Sequence, residues 1–302
     1  MLQVRLLREL SLGPDAHLSA ASGLVRLGQR VHVVADDELH LASFDLMGEA
    51  PGRLHRLFAG DLPAEHEARK AAKPDLEALC LLPGFDGAKH GALLALGSGS
   101  KTQRQRGALL ALDVQGGVAG PARALDLEPL LAPLHRRIDK LNIEGAFVAG
   151  GQFCLLQRGN SHSGLNACIR FDWPAVRAWL LGQGPAPGPL AIDEFQLGVL
   201  DGVPLSFTDG AALADGGWVF SAAAEATEDT YADGPCHGSC IGVVSPGGAL
   251  LLMRRLALNC KVEGVAVEQR GAQLRLWMVT DADDRRRPAL LLGATLGLPS
   301  AA

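Results

Sequence analysis

The sequence predicts an all-β chain folded as one five-bladed β-propeller over residues 1–302, with four antiparallel strands per blade and the ring closed by the N-terminal strand. Three observations predict it. A short lead motif recurs five times from end to end, four β-rich runs follow each recurrence, and the last recurrence stops one run short.

The lead motif is an acidic or hydroxyl residue, usually followed by glycine, then small apolar residues. Its copies are Ser22-Gly23-Leu24-Val25, Glu77-Ala78-Leu79, Glu144-Gly145-Ala146-Phe147, Asp209-Gly210-Ala211-Ala212 and Glu263-Gly264-Val265-Ala266. Lead residues are spaced by 55, 67, 65 and 54 positions. A period of that size marks a repeat architecture rather than a string of separate domains. The first unit reads SGLVRLGQ, RVHVVADD, LHLASFDL, RLHRLF, and the second EALCLLPG, GALLALGS, GALLALDV, ARALDL. Short apolar runs bounded by Gly, Asp, Pro and Asn are strand and hairpin signals, and four of them make a propeller blade. The fifth unit has only EGVAVEQR, LRLWMVTD and PALLLGATL, and residues 2–10, LQVRLLREL, supply the missing strand. Closing the ring in this way leaves no blade with an open edge. Helical spacing appears only at 127–141 and 174–183, as insertions on the rim.

Composition narrows the function classes. Hydrophobic residues make up 48% of the chain and aromatics 5%, so a core of Leu, Val and Ala is expected. A formal charge of −5 argues against a nucleic-acid partner. No apolar run is long enough to span a bilayer, and Arg5, Arg8 and Glu9 interrupt the N-terminus where a signal peptide needs an apolar stretch. The expectation is a cytoplasmic protein without a membrane partner. The six cysteines then read as small buried hydrophobes, and Cys236-His237-Gly-Ser-Cys240 lacks the second ligand pair of a metal clip.

Innermost propeller strands run along a central channel, so the lead residues Ser22, Glu77, Glu144, Asp209 and Glu263 are expected to ring one mouth of it. Carboxylates crowded into a low-dielectric tunnel need neutralising. Calcium answers this with a flexible shell of oxygen ligands. Lysine answers it too: Lys73, Lys140 and Lys261 precede Glu77, Glu144 and Glu263 by four, four and two residues. The loops after each second strand surround the same mouth. They offer Asp36, Asp37, Glu225 and Asp281 as acid–base candidates, with Asp283 beside them. They also carry Ser98 and Ser100, and offer Lys101, Arg158 and Asn160, which with Lys140 are candidates to hold a small phosphate-bearing ligand.

One serine or carboxylate per blade, in this order, resembles the central calcium site of the soluble calcium-activated nucleotidases of the apyrase type. VHVVADDELHLASFDL is similar to their strand–Asp-Asp–strand hairpin, and SFTDGAALADGGWVFSAAAEATED with KVEGVAV to their last two blades. The resemblance implies calcium ligation by Ser22, Glu77, Glu144 and Glu263. Thr208 matches the family serine in the fourth blade, whereas the internal repeat favours Asp209. The Glu-Gly strands also resemble the phytase-like esterase propellers. Two functions follow: a calcium-dependent hydrolase of phosphate esters or phosphoanhydrides, or a non-enzymatic propeller that binds a protein or small ligand, its central ion or salt bridges serving stability alone.

Overall fold

In the computed structural model, which describes residues 1–159, 165–226 and 236–298, the chain is a five-bladed β-propeller. From the channel outward, blade 1 is Ala21–Leu27, Arg30–Ala35, His40–Asp45 and Arg53–Arg56. Blade 2 is Leu76–Leu82, Ala92–Gly97, Arg106–Leu112 and Val118–Asp126. Blade 3 is Ile143–Ala149, Gln152–Gln157, Asn166–Asp172 and Ala191–Phe195. Blade 4 is Val203–Ala212, Trp218–Glu225, Cys236–Val244 and Leu250–Arg255, with the two-residue strand Val199–Leu200 added inside. Blade 5 is Lys261–Arg270, Gln273–Asp281 and Leu290–Gly297, and the N-terminal strand Val4–Glu9 completes it antiparallel to Leu290–Gly297.

The core is divided among the blade interfaces. One apolar cluster fills each: Val34, Leu41, Leu79 and Leu93 between blades 1 and 2, and Leu94, Leu96, Phe153 and Ile169 between 2 and 3. Phe147, Phe207, Trp218 and Phe220 lie between 3 and 4, where most of the ring contacts occur. Val219, Ile241, Leu276 and Met278 lie between 4 and 5, and Leu24, Val33, Trp277 and Val279 between 5 and 1. Alternate residues of one strand therefore feed two different interfaces, as the period of two requires. All six cysteines are free. No helix among the described residues is long and apolar enough to cross a membrane.

The lead motif has two separable physical roles. Each innermost strand carries a β-bulge at the lead position, where the register skips Ser22-Gly23, Glu77, Glu144, Thr208 and Glu263 in turn. A bulge adds an unpaired residue and re-aims its side chain. The glycine that follows serves close approach of neighbouring blades. A Cβ at Gly23 would stand 2.5 Å from the Leu79 amide nitrogen, and one at Gly264 would stand 2.7 Å from the Ser22 carbonyl oxygen.

Two predicted helices form within shorter limits, Glu128–His135 and Trp173–Leu180. A third, His66–Ala72, was not expected. It has no buried residue and so no apolar periodicity to betray it; the Glu65 side chain caps it by accepting from the Glu67 and Ala68 amides at 2.9 and 2.7 Å. This helix brings Arg69 and Lys70 to the channel mouth, and Lys73 follows at its end.

Candidate functional site

The bulges and the turns after the second strands converge on one mouth, where two charged clusters meet. The first is built between blades 1 and 2. Lys73 Nζ bonds the Asp36 carboxylate and lies 3.0 Å from Asp75 Oδ1. Asp75 also accepts from Arg104 at 2.8 Å and from the Ser98 hydroxyl at 2.6 Å. Burial works against the charge of Lys73, but Asp36, Asp75 and Glu77 outweigh it and raise its pKa. Asp75 and Arg104 had no motif to announce them. Asp75 holds a left-handed backbone, φ 57°, directly after Pro74, so a turn rather than a repeat position presents it.

The second cluster lies across blades 3, 4 and 5. Arg158 bonds Glu225 and stands 3.4 Å from Glu144 and 3.8 Å from Glu263. Lys261 reaches Glu225 at 2.9 Å, Glu263 at 3.0 Å and Asp283 at 3.2 Å. Asn142 donates to the second Glu144 oxygen at 2.5 Å. Burial pushes Glu144 up to about 8, helped by Glu263 and opposed by Arg158. Glu225 goes the other way: Arg158 and Lys261 overcome its burial and hold it below the usual range. Half-buried Glu77 stands between the clusters, raised well above its ordinary value by burial and then by Glu144 and Asp75.

Several expected roles change in this geometry. Asp209 is not on the ring. The bulge at Thr208 turns Asp209 by one position into the protein, where it accepts from the Gly210 amide at 2.7 Å and the Val265 amide at 2.9 Å. The ring position of blade 4 is Thr208, fully buried and donating its hydroxyl to the Val262 carbonyl at 2.7 Å. Ser22 is also turned inward, its hydroxyl 3.4 Å from the Ala20 carbonyl. Lys140 is exposed, and Glu144 takes Arg158 and Asn142 as partners instead. Arg158 was expected to face a ligand but is engaged with three carboxylates. Lys101 is exposed at the start of the turn Thr102–Arg104, and Arg104 of that turn points inward in its place. Asn160 lies outside the described residues.

Calcium finds its expected ligands already committed. Ser22, Thr208, Asp209, Glu144 and Glu263 each hold protein partners, although Glu263 keeps one buried oxygen without a hydrogen bond, and Glu77 is drawn electrostatically to Lys73. Among the described residues, one set of carboxylates has oxygens close enough for a shared cation: Asp36, Asp75 and Glu77, within 4.8 Å of one another. Lys73 Nζ already stands there as the cation. The donor set thus matches an ammonium in place rather than a vacant oxygen cage.

Beside the first cluster, between blades 5 and 1, a pocket of about 210 Å³ opens at the mouth. Asp36, Asp37, Asp281 and Asp283 line it together with His66, Lys70 and Arg285. Asp37 is engaged by Arg69 and Arg285 at 3.4 and 3.1 Å. Asp36 and Asp281 flank the same short chain segment: the Asp36 amide donates to the Ala20 carbonyl, and Ala20 forms an antiparallel bridge with Asp281. Two strand spacings place their backbones about 10 Å apart. Burial pushes Asp281 up to about 8, opposed by Lys261 and assisted by Asp283 and Asp36. Burial also lifts Asp36, to about 6, against the pull of Lys73 and with help from Asp75 and Asp37.

Comparison with solved structures agrees with the architecture. A glutaminyl cyclase from Myxococcus xanthus is 13% identical, aligns over 99% of this chain and 98% of that one, and gives a TM-score of 0.50. A luciferin-regenerating enzyme is 12% identical over 99% and 97% of the two chains, with a TM-score of 0.48. At 13% identity the likeness to the cyclase speaks for the fold alone, and the nucleotidase resemblance is not shown. No curated protein matches the sequence. Residues 17–296 match the DUF6929 family, a family of unknown function, and the chain belongs to it.

Proposed function

We propose that this DUF6929 protein is an acid–base hydrolase of a small anionic ester, working in the mouth pocket with Asp281 as general acid and Asp36 as general base. The observation that carries the reading is one pocket walled by two carboxyl groups whose proton affinities are raised to different levels, about 8 and about 6. Carboxyls separated in this way divide the acid and base roles at neutral pH. Asp36, ionised, takes a proton from the attacking water; Asp281, protonated, gives its proton to the departing oxygen. One water is thereby added across the ester bond, and both carboxyls return to their starting states by exchanging protons with solvent. Arg285 and Lys70 also line the pocket, Arg285 beside Asp37, and their positive charge suits an anionic group on the substrate. The propeller fold hosts many functions and decides nothing here.

The test is a hydrolysis screen of nucleotides, sugar phosphates and model esters, with and without calcium. Activity is expected without calcium, with kcat/KM rising through about pH 6 and falling through about pH 8. Asp281→Asn should lower kcat/KM by about 10²–10⁴-fold and remove the alkaline limb. Turnover that needs calcium would restore the metal-dependent reading. No turnover, with ligands still binding in the pocket, would make this a non-enzymatic propeller.

Calcium itself is tested by a thermal melt with the ion and with a chelator. Because Lys73, Arg158 and Lys261 already neutralise the ring, we expect no shift. A specific site held at 100 times its Kd would add about 2.7 kcal/mol, a rise of a few degrees that would overturn the ion-paired reading.

A further inference from the structure

A second concavity lies on the closing blade, away from the mouth. It has a volume of about 390 Å³, within the range of small-molecule sites. The strand register shows how it is made. Gly293 on Leu290–Gly297 pairs with Arg5 on the N-terminal strand and with Trp277 on the other side. Thr295, two residues on and so on the same face, pairs with Arg275. Leu7 packs its side chain over Gly293, and Arg5, Trp277, Arg275 and Thr295 line the concavity beside it. Arg275 lies six residues before Asp281 on one strand, about 20 Å away along it.

The charge around the concavity is unbalanced. Arg26 stacks over the Trp277 ring at 3.9 Å and pairs with Glu268 at 3.2 Å. Arg270 uses the same glutamate at 2.8 Å. Arg5 and Arg275 form no ion pair among the described residues. A single carboxylate thus serves a patch of four arginines, in a chain whose formal charge is −5. Like charges held together without counter-ions cost free energy, which a bound anion would recover. Trp277 and Leu7 supply an apolar wall beside that charge.

We infer that this concavity, beside Leu7 and Gly293, binds a small organic anion with a flat apolar body, its acidic group held between Arg5 and Arg275 and its body against Trp277 and Leu7. Carboxylates and phosphates share this chemistry. The site is independent of the mouth pocket and of its proposed reaction.

The experiment titrates the full-length protein with benzoate, phenyl phosphate and inorganic phosphate while tryptophan fluorescence is followed. A saturable change with benzoate or phenyl phosphate is expected, with a Kd at or below about 1 mM and weaker binding of inorganic phosphate. Arg275→Gln removes a charged hydrogen-bond donor and should raise Kd by about 10-fold or more. Gly293→Ala introduces a Cβ 3.2 Å from the flexible Leu7 side chain, which must shift, so the fold is kept while the apolar wall of the concavity is displaced. Binding should be lost in it, and Trp277→Phe should remove the optical signal. Asp281→Asn should bind as wild type. The inference is overturned if no probe saturates or if both Arg275→Gln and Gly293→Ala bind like wild type. It is equally overturned if Asp281→Asn abolishes binding, which would place the anion at the mouth, or if inorganic phosphate binds as tightly as the aromatic probes.

Discussion

Deleting residues 2–10 is expected to leave the chain insoluble or unfolded at temperatures where the full chain is native. Strand Val4–Glu9 is the outer strand of blade 5, paired with Leu290–Gly297. The ties extend past both of its ends. The Leu2 amide donates to the Arg255 carbonyl at 2.7 Å, and the Leu10 amide donates to the Ala289 carbonyl at 2.9 Å. Arg8 reaches across to blade 1, donating to the carbonyls of Asp45 at 2.9 Å and Ala50 at 2.8 Å. Leu10 is fully buried and Leu2 nearly so, and each contributes about 1.5–3 kcal/mol by leaving water. Those two residues alone match a large part of the 5–15 kcal/mol that holds a typical domain together. The deletion also exposes an apolar edge that invites association. Circular dichroism and sedimentation of the truncated chain check this. A soluble monomer with an unchanged melting temperature would show that closure does not carry the stability assigned to it.

Closure was legible because it rests on counting: five lead motifs, and one run missing from the last unit. Strand order and blade limits followed from the same periodicity. The site was legible only where a residue belongs to the repeat. Glu77, Glu144 and Glu263 sit at bulges that recur, so spacing found them. Asp209 and Thr208 stayed open alternatives for the fourth blade for a reason of register. Moving one residue along a strand reverses the face, and only the position of the bulge separates the two. Arg158 takes the pairing expected of Lys140 because distance along the chain is a poor guide across a hairpin: Arg158 follows the second strand of blade 3 and returns to the level of Glu144. Asp75, Arg69 and Arg104 were missed altogether. They come from a turn, a helix without an apolar face, and a single 3-10 turn, none of which repeats from blade to blade.

Arg158→Met should cost about 3–5 kcal/mol near neutral pH, the usual result of removing one partner from a buried charge cluster. Arg158, with 17% of its side chain exposed, is enclosed by Glu144, Glu225 and Glu263, and these carboxylates raise its pKa despite the cost of desolvation. In the wild type, the depressed Glu225 adds stability above its unfolded pKa and loses it as pH falls through the lower folded value. Glu144 has the opposite sign. Its folded value, about 8, lies above the unfolded one, so its contribution is full at low pH and disappears as pH rises toward 8. Without Arg158 both groups move up, and Glu225 joins Glu144 in favouring the acid side. The deficit of the variant should therefore be greatest above about pH 8 and shrink toward about pH 5, where the glutamates take up protons. Glu144→Gln supplies the contrast: it should be close to neutral at low pH and stabilising above about pH 8, because it removes a carboxylate that resists ionising. Urea unfolding of the three proteins across that range measures both trends. A deficit under about 1 kcal/mol, the level of an exposed ion pair, or one that does not change with pH, would mean that Arg158 is not what neutralises the ring.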